Sequence, residues 1–238
     1  MIKMAEINKT QLDIERAEDR GIIYRDYAAH FFRWSFALRF IDYQKKVLDV
    51  GSGNGMLAQV LYVNKFKPKL YAAIDIRKKA LDEIQSRKLN FPIEPHNIDI
   101  RKENIPYEND YFDVITFFEV AEHFEKNYLE FAMSEIKRVL ASNGTLLMST
   151  PNFNGSQAAN HIHEYTEEEL RETIEKFFVI KKQFGTFSSK KDIYPNLNPS
   201  EKIVYDSLTE YYDYNAMSVI FAPLYPKLSR NILWVLHK

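Results

Sequence analysis

The chain has 238 residues, 45% apolar and 27% charged, with a formal net charge of −1. This balance argues against a disordered or membrane chain and provides no global basic field for a nucleic acid; the short clusters Lys65/Lys67/Lys69, Arg77/Lys78/Lys79 and Lys190/Lys191 read as solvated surface. The absence of cysteine removes disulfides, thiolate nucleophiles, zinc–cysteine sites and iron–sulfur clusters, so a metal would need His, Asp or Glu ligands.

The start, Met1 to Gly21, is polar and of mixed charge, unlike the basic and then apolar order of a signal peptide, and no run approaches the roughly 20 apolar residues of a membrane span. A cytoplasmic protein without a membrane partner is expected. Tyr24, Tyr27, Phe31, Trp34, Leu38 and Ile41 then recur at three- and four-residue steps, which predicts an amphipathic helix leading into the core. His30 and Arg33 fall off that stripe and are candidates for acceptor contacts.

From there strand-like and helix-like runs alternate. Strands are predicted at Lys46 to Val50, Leu70 to Ile74, Ile93 to Ile98, Phe112 to Phe118, Thr145 to Thr150, Phe178 to Phe184 and Ile232 to Leu236. Helices are predicted at Asn54 to Tyr62, Lys78 to Lys88, Tyr128 to Leu140 and Glu167 to Phe177, the last opened by a capping box of Thr166 and Glu169. Such alternation predicts an α/β fold with a mostly parallel sheet covered on both faces. Ser189 to Ser229 breaks the rhythm with Pro195, Pro199, Pro223, Pro226 and a tyrosine-rich helical stretch, Glu201 to Tyr212, and reads as an insertion. It is expected to wall the ligand crevice or to form a dimer surface, although nothing in the pattern specifies an oligomer.

The chemistry concentrates at the ends of the first strands. Val47 to Gly55 reads as a buried strand, a glycine loop and a helix start, with Asp49, Gly51, Ser52, Gly53, Asn54 and Gly55 as candidate binding residues. Its spacing is G-x-G-x-G, and Met56 stands where the dinucleotide fingerprint wants a third glycine, so the ligand is read as a nucleoside without a pyrophosphate. Asp75 ends the second strand where a carboxylate can accept both ribose hydroxyls, with Ile76 beside it. At the end of the third strand, Asp99 can accept from an exocyclic amine while its apolar neighbours Ile98 and Ile100 flank an adenine, and Asn97 belongs to the same candidate binding set.

On these residues, on Phe112 to Glu119 and on the Gly144 to Asn152 strand, the chain resembles class I S-adenosylmethionine-dependent methyltransferases over about residues 45–188 plus the last strand. The resemblance implies a Rossmann-like three-layer sandwich with a seven-stranded sheet whose last strand is antiparallel. It implies S-adenosyl-L-methionine as cofactor, with S-adenosyl-L-homocysteine as product. It places Gly51, Gly53 and Gly55 against the methionine moiety, Asp75 at the ribose, Asp99 and Ile100 at the adenine and Glu119 beside the reactive centre. The expected organisation is one domain, 1–238, with an N-terminal helical lid (1–42), a cofactor-binding core (43–188 and 230–238) and the insertion (189–229).

In-line displacement at a sulfonium depends mostly on alignment, and a general base helps when the acceptor is a hydroxyl. His123 is the candidate base and Glu119 its companion. Glu119-Val120-Ala121-Glu122-His123 followed by a later histidine, His161 or His163, is also similar to the metal-binding pattern of small-RNA 2′-O-methyltransferases and some quinone-pathway O-methyltransferases. A divalent ion on Glu119, Glu122, His123 and His163 is the metal option. Near-neutral charge and the aromatic insertion favour O- or N-methylation of a small molecule or glycan. The rival is an RNA 2′-O-methyltransferase, which a basic groove leading to Glu119 would favour, and the reading of another class is a non-catalytic cofactor sensor or scaffold.

Overall fold

The computed structural model describes residues 25–153, 155 and 157–238. Tyr24, the side chain of Tyr27 and the polar start lie outside them. Helix α1 (Arg25–Ala37) runs into a 3-10 turn, Leu38–Phe40. Among the described residues, β1 (Lys46–Val50), β2 (Leu70–Asp75), β3 (Ile93–Asn97), β4 (Phe112–Phe118), β5 (Leu140–Pro151), β6 (Val179–Phe187) and β7 (Asn231–His237) build one sheet in the order β3-β2-β1-β4-β5-β7-β6. Pairs from β3 through β5 are parallel, and β7 runs antiparallel between β5 and β6. This is the three-layer Rossmann-like arrangement with an antiparallel last strand that the sequence led us to expect.

Period-two alternation assigns the two layers. Leu48, Val50, Ile115, Phe117, Leu146, Met148 and Trp234 face one way, under α4 (Lys126–Val139) and α5 (Glu167–Glu175). Val47, Tyr71, Val114, Leu147, Leu233 and Val235 face the other, under α1, α2 (Met56–Val63) and α3 (Lys78–Ser86). No helix among the described residues is long and apolar enough to cross a membrane.

Element boundaries differ from expectation where local chemistry overrides periodicity. Helix α2 starts at Met56 rather than Asn54 because Gly55 holds φ +79° and cannot be inside a helix. Strand β5 begins at Leu140, directly after α4, rather than at Thr145, with a register shift against β4. In the insertion, α7 (Pro199–Leu208) starts two residues before the expected Glu201. Asn198 and Glu201 form a capping box around it, and Pro199 fits the first helical turn rather than breaking it. The capping box of Thr166 and Glu169 opens α5 as expected.

The insertion also contains α6 (Lys190–Ile193) and α8 (Tyr214–Ile220), and it gathers an apolar cluster of its own from Ile193, Leu197, Tyr205, Met217 and Phe221. It packs on β6 and, through α8, behind α1. The seam with β6 closes at Gly185, where an added Cβ would overlap Ser229 Oγ and the Ala222 carbonyl oxygen. Gly185→Ala is therefore expected to lower stability by about 1–3 kcal/mol, the usual cost of overpacking. Urea unfolding checks this, and Ser229→Ala in the same chain is expected to restore only part of the loss because the Ala222 carbonyl remains.

Candidate functional site

The strand order reverses direction between β1 and β4, so their following loops part and leave a crevice at the carboxyl edge of the sheet. The glycine loop lines one side. Gly51 and Ser52 both donate their N–H groups to the Ile74 carbonyl (2.8 and 3.0 Å), and Gly53 N–H donates to Asp75 Oδ2 (2.8 Å). Gly51 (φ +73°) and Gly55 (φ +79°) are doubly constrained, since a Cβ on the first would overlap Val120 Cγ2 and one on the second would lie 2.6 Å from Ile84 Cγ1. Ser52 Oγ is buried in this loop and has no hydrogen-bond partner among the described residues. A polar ligand seated on the loop would satisfy it.

Of the residues expected to bind the cofactor, Asp75 stands at the crevice with both oxygens held by Gly53 N–H, Arg77 N–H (2.8 Å) and Arg77 Nε (3.1 Å). Ile76 is 56% exposed beside it. Asn97 braces the end of β2, its Nδ2 donating to the Asp75 and Ile76 carbonyls (2.9 Å each). Asp99 is gripped by Arg101 Nε and Nη2 (2.8 Å each), which hold its carboxyl below the usual range.

Three of the residues expected to contact the cofactor are partly or wholly buried. Ile100 is taken into the apolar layer, Ile98 packs partly against it, and Ile76 alone of the three isoleucines is exposed. Asp49 is the third: it lies beneath the loop, and its oxygens accept from Tyr71 Oη and from Thr116 Oγ1 (2.7 Å). Its carboxylate is thus a strut under the glycine loop. Burial pushes its pKa up to about 6, against the lowering effect of the two hydroxyls.

Glu119 follows β4 at φ +54°, a conformation rare for a residue with a side chain and concentrated at functional sites. Its Oε1 accepts from Ser149 Oγ (2.9 Å) and its Oε2 from Asn231 Nδ2 (3.0 Å), and Arg33 Nη1 of α1 stands 3.6 Å away. Arg33 is 1% exposed and also donates to His30 Nδ1. Burial and that guanidinium push the His30 imidazole down to about 2, so it is neutral at any physiological pH. His30 and Arg33, read as candidates for acceptor contacts, thus meet the crevice through Glu119.

The 3-10 turn Ala121–His123 carries the remaining groups. Glu122 is buried, accepts from Thr150 Oγ1 (3.1 Å) and has its pKa raised by burial and by Glu119. Its carbonyl accepts the N–H groups of Ile162 and His163 (2.9 and 3.1 Å), which ties the 160–163 loop to the turn. The rings of His123 and His161 meet edge to face at 5.1 Å. Each uses Nδ1 away from the other: that of His123 is 3.1 Å from the Asn160 carbonyl, and that of His161 is 2.7 Å from Glu164, itself bound by Arg230 (2.7 Å). Burial lowers the pKa of His123.

Among the described residues, the group whose ligand atoms lie within 4.8 Å of one another is Glu122, His123 and His161. Of the metal option on Glu119, Glu122, His123 and His163, the structure brings Glu122 and His123 together, with His161, the other histidine offered, in place of His163. His163 turns away toward Glu169 (3.7 Å) and meets Tyr165 edge to face, while Glu119 is engaged by Ser149, Asn231 and Arg33. In a regularly extended segment two residues spaced by one would share a face, but the chain bends at Ile162, so His161 reaches His123 and His163 does not. Ser149, Thr150, Asn231, Arg77 and Glu164 were missed by sequence reasoning. Ser149, Thr150 and Asn231 carry no motif spacing and come to the crevice through strand pairing, Glu164 comes through its loop, and Arg77 could have been found from its place two residues after Asp75.

The sequence model of a family described as a methyltransferase domain matches residues 24–182. No curated protein matches the chain. Among solved structures, the chain is similar to an S-adenosylmethionine-dependent methyltransferase of Archaeoglobus fulgidus (13% identity, 96% of this chain and 100% of that one, TM-score 0.61). It is also similar to a protein of Pyrococcus horikoshii (15% identity, 97% and 96%, TM-score 0.58). A third likeness is to an S-adenosylmethionine-dependent methyltransferase of Mesorhizobium loti (13% identity, 90% and 100%, TM-score 0.57). At these identities the likeness is one of fold.

Asp49 gives the site a measurable pH signature. Its folded pKa of about 6 exceeds the ordinary 3.8, so the folded state holds its proton where the unfolded chain has released it. The stability that this proton provides is present at pH 4 and lost as the pH rises through 6, by about 3 kcal/mol for a two-unit shift. Asp49→Asn has no such proton to lose. The difference in unfolding free energy, wild type minus variant, is expected to fall by that order between pH 4 and 7 in urea titrations and to stay flat above.

Proposed function

Since the chain belongs to the methyltransferase-domain family, as a class I methyltransferase of the S-adenosylmethionine-dependent kind, we propose that it methylates an oxygen or nitrogen of a small-molecule or glycan acceptor held before Glu119 and His123. The observation that carries this reading is the convergence on one crevice of three elements. These are the positive-φ glycine loop with its unsatisfied Ser52 hydroxyl, the Asp75 carboxylate, and the strained Glu119 beside His123. The donor set fits S-adenosyl-L-methionine, which supplies a methyl group on a good leaving group when bound.

Each residue has a bounded task. Asp75 accepts the ribose hydroxyls and the exposed Ile76 covers the adenine, while the loop backbone lets the ligand approach as no side chain would. Glu119, fixed by Ser149, Asn231 and Arg33, orients a cationic amine. His123, with Nδ1 turned to the Asn160 carbonyl, presents Nε2 for an acceptor proton, and its lowered pKa keeps that nitrogen unprotonated at neutral pH. The cationic groups nearest Glu119 and Glu164 are Arg33 and Arg230, each already paired with one of these carboxylates, which favours a small acceptor over a nucleic-acid backbone.

Asp75→Ala is expected to weaken S-adenosylhomocysteine binding by about ten- to a hundredfold, the worth of a lost bidentate bond to a charged group. His123→Ala is expected to lower turnover by about a hundredfold or more with cofactor affinity near wild type. Calorimetry and turnover with a labelled methyl donor in a metabolite extract check both; a fully active His123→Ala chain would remove His123 from the chemistry.

A second reading is metal-assisted transfer to an RNA 2′-hydroxyl. The observation favouring it is the Glu122, His123 and His161 group, whose two imidazoles both have Nδ1 engaged and so present Nε2. It requires that manganese(II) bind the wild type and not Glu122→Gln or His161→Ala, and that chelation move label out of RNA. On the first reading the label enters a metabolite and a chelator leaves activity intact.

A further inference from the structure

The two carboxylates that face the nucleoside end of the crevice are each answered by an arginine of the same short motif. Ile74-Asp75-Ile76-Arg77-Lys78 recurs as Ile98-Asp99-Ile100-Arg101-Lys102, at the carboxyl ends of the neighbouring strands β2 and β3. In both, the arginine N–H donates to Oδ1 of the aspartate two residues earlier (2.8 and 3.2 Å), and so does Nε (3.1 and 2.8 Å). In both, Nη2 reaches Oδ2 (3.4 and 2.8 Å).

An ionised carboxylate offers about four acceptor positions. At Asp75 two are taken by backbone N–H groups, of Gly53 and Arg77, and these hold the side chain in place. The other two are taken by the Arg77 fork. A ribose presents two hydroxyl donors, so its diol can enter only in exchange for the fork, two bonds for two. Arg77 also lies on the ligand's side of the loop, since its Nη2 is 3.5 Å from where a Cβ on Gly53 would be.

We infer that Arg77 is a specificity-determining residue that competes with the cofactor's ribose for Asp75, setting how strongly the site distinguishes a ribose diol from a sugar that lacks it. The inference rests on Asp75 being the ribose acceptor. The asymmetry between the two motifs supports the choice of Arg77. Its side chain is 67% exposed and reaches open solvent when displaced, whereas Arg101 is 32% exposed and Asp99 is also held by Lys102 at 3.5 Å. The motif at the end of β2 is therefore the exchangeable one, and the one at the end of β3 closes the strand end.

The test is calorimetry of wild type, Arg77→Met and Arg77→Lys with S-adenosylhomocysteine, adenosine and 2′,3′-dideoxyadenosine. Methionine keeps an unbranched apolar stem and donates nothing. It is expected to tighten S-adenosylhomocysteine by about two- to fivefold, as befits a solvent-exposed ion pair, and to widen the preference for adenosine over the dideoxynucleoside by a similar factor. Lysine, which cannot span both oxygens, is expected to fall between. A structural role alone would leave that preference unchanged. If Arg77→Met binds S-adenosylhomocysteine no tighter than wild type, or without a wider preference, the competition is overturned while the cofactor reading stands. If the wild type binds no S-adenosylhomocysteine, the cofactor reading is overturned and this inference falls with it.

Discussion

The seam between the glycine loop and the end of β2 is the constraint on which the rest of the crevice depends. Three successive N–H groups, of Gly51, Ser52 and Gly53, are spent on the Ile74 carbonyl and the Asp75 carboxylate. This turns the chain sharply out of β1 and aims it into α2, and it fixes the acid of β2 by the same bonds. Positive φ at Gly51, Gly53 and Gly55 makes the turn, and the absence of a Cβ at Gly51 and Gly55 lets Val120 and Ile84 close on it. Below, Asp49, Tyr71 and Thr116 form a buried polar knot between β1, β2 and β4, held against the desolvation of its carboxylate. The loop is thus braced from beneath by one acid and from the side by another.

The opposite wall follows a different logic. Glu119 occupies strained backbone at the end of β4, and its carboxylate is satisfied from three distant places in the chain: Ser149 on β5, Asn231 on β7 and Arg33 on α1. Strain of this kind persists only where the surroundings over-determine it. Here they do, and the antiparallel β7 has a functional consequence, because its first residue delivers the amide that fixes Glu119. The insertion acts at one remove, by packing behind α1 and so supporting the helix that supplies Arg33.

Between these walls the electrostatics are set by pairing rather than by net charge. Asp75 and Asp99 are neutralised by Arg77 and Arg101, and Glu164 by Arg230 with His161. His30 and His123 both have their pKa lowered by burial, so the imidazoles near Glu119 are neutral bases rather than cations. Each of these carboxylates meets its arginine within the chain, and the competition inferred at Asp75 is the case in which a ligand would take the place of such a pair.

Sequence pattern determined the order of strands and helices, and β1 and β4 agree with it to the residue, because a near-continuous apolar run reports a strand buried on both faces. The glycine spacing and the acids at the ends of β2 and β3 likewise located the crevice, since backbone freedom and charge are properties of single residues. What only the tertiary structure decided is partnership. Sequence offered Asp49 and Ile100 as ligand contacts, and only the folded chain shows that Asp49 also braces the glycine loop with Tyr71 and Thr116 and that Ile100 is buried in the apolar layer. It offered two histidines for His123, and the path of the 160–163 loop chose His161. It gave no sign that Asn231 would meet Glu119 across 112 residues. Such pairings depend on register between strands far apart in the chain, and a one-residue shift would turn every side chain to the opposite face, so no local pattern encodes them.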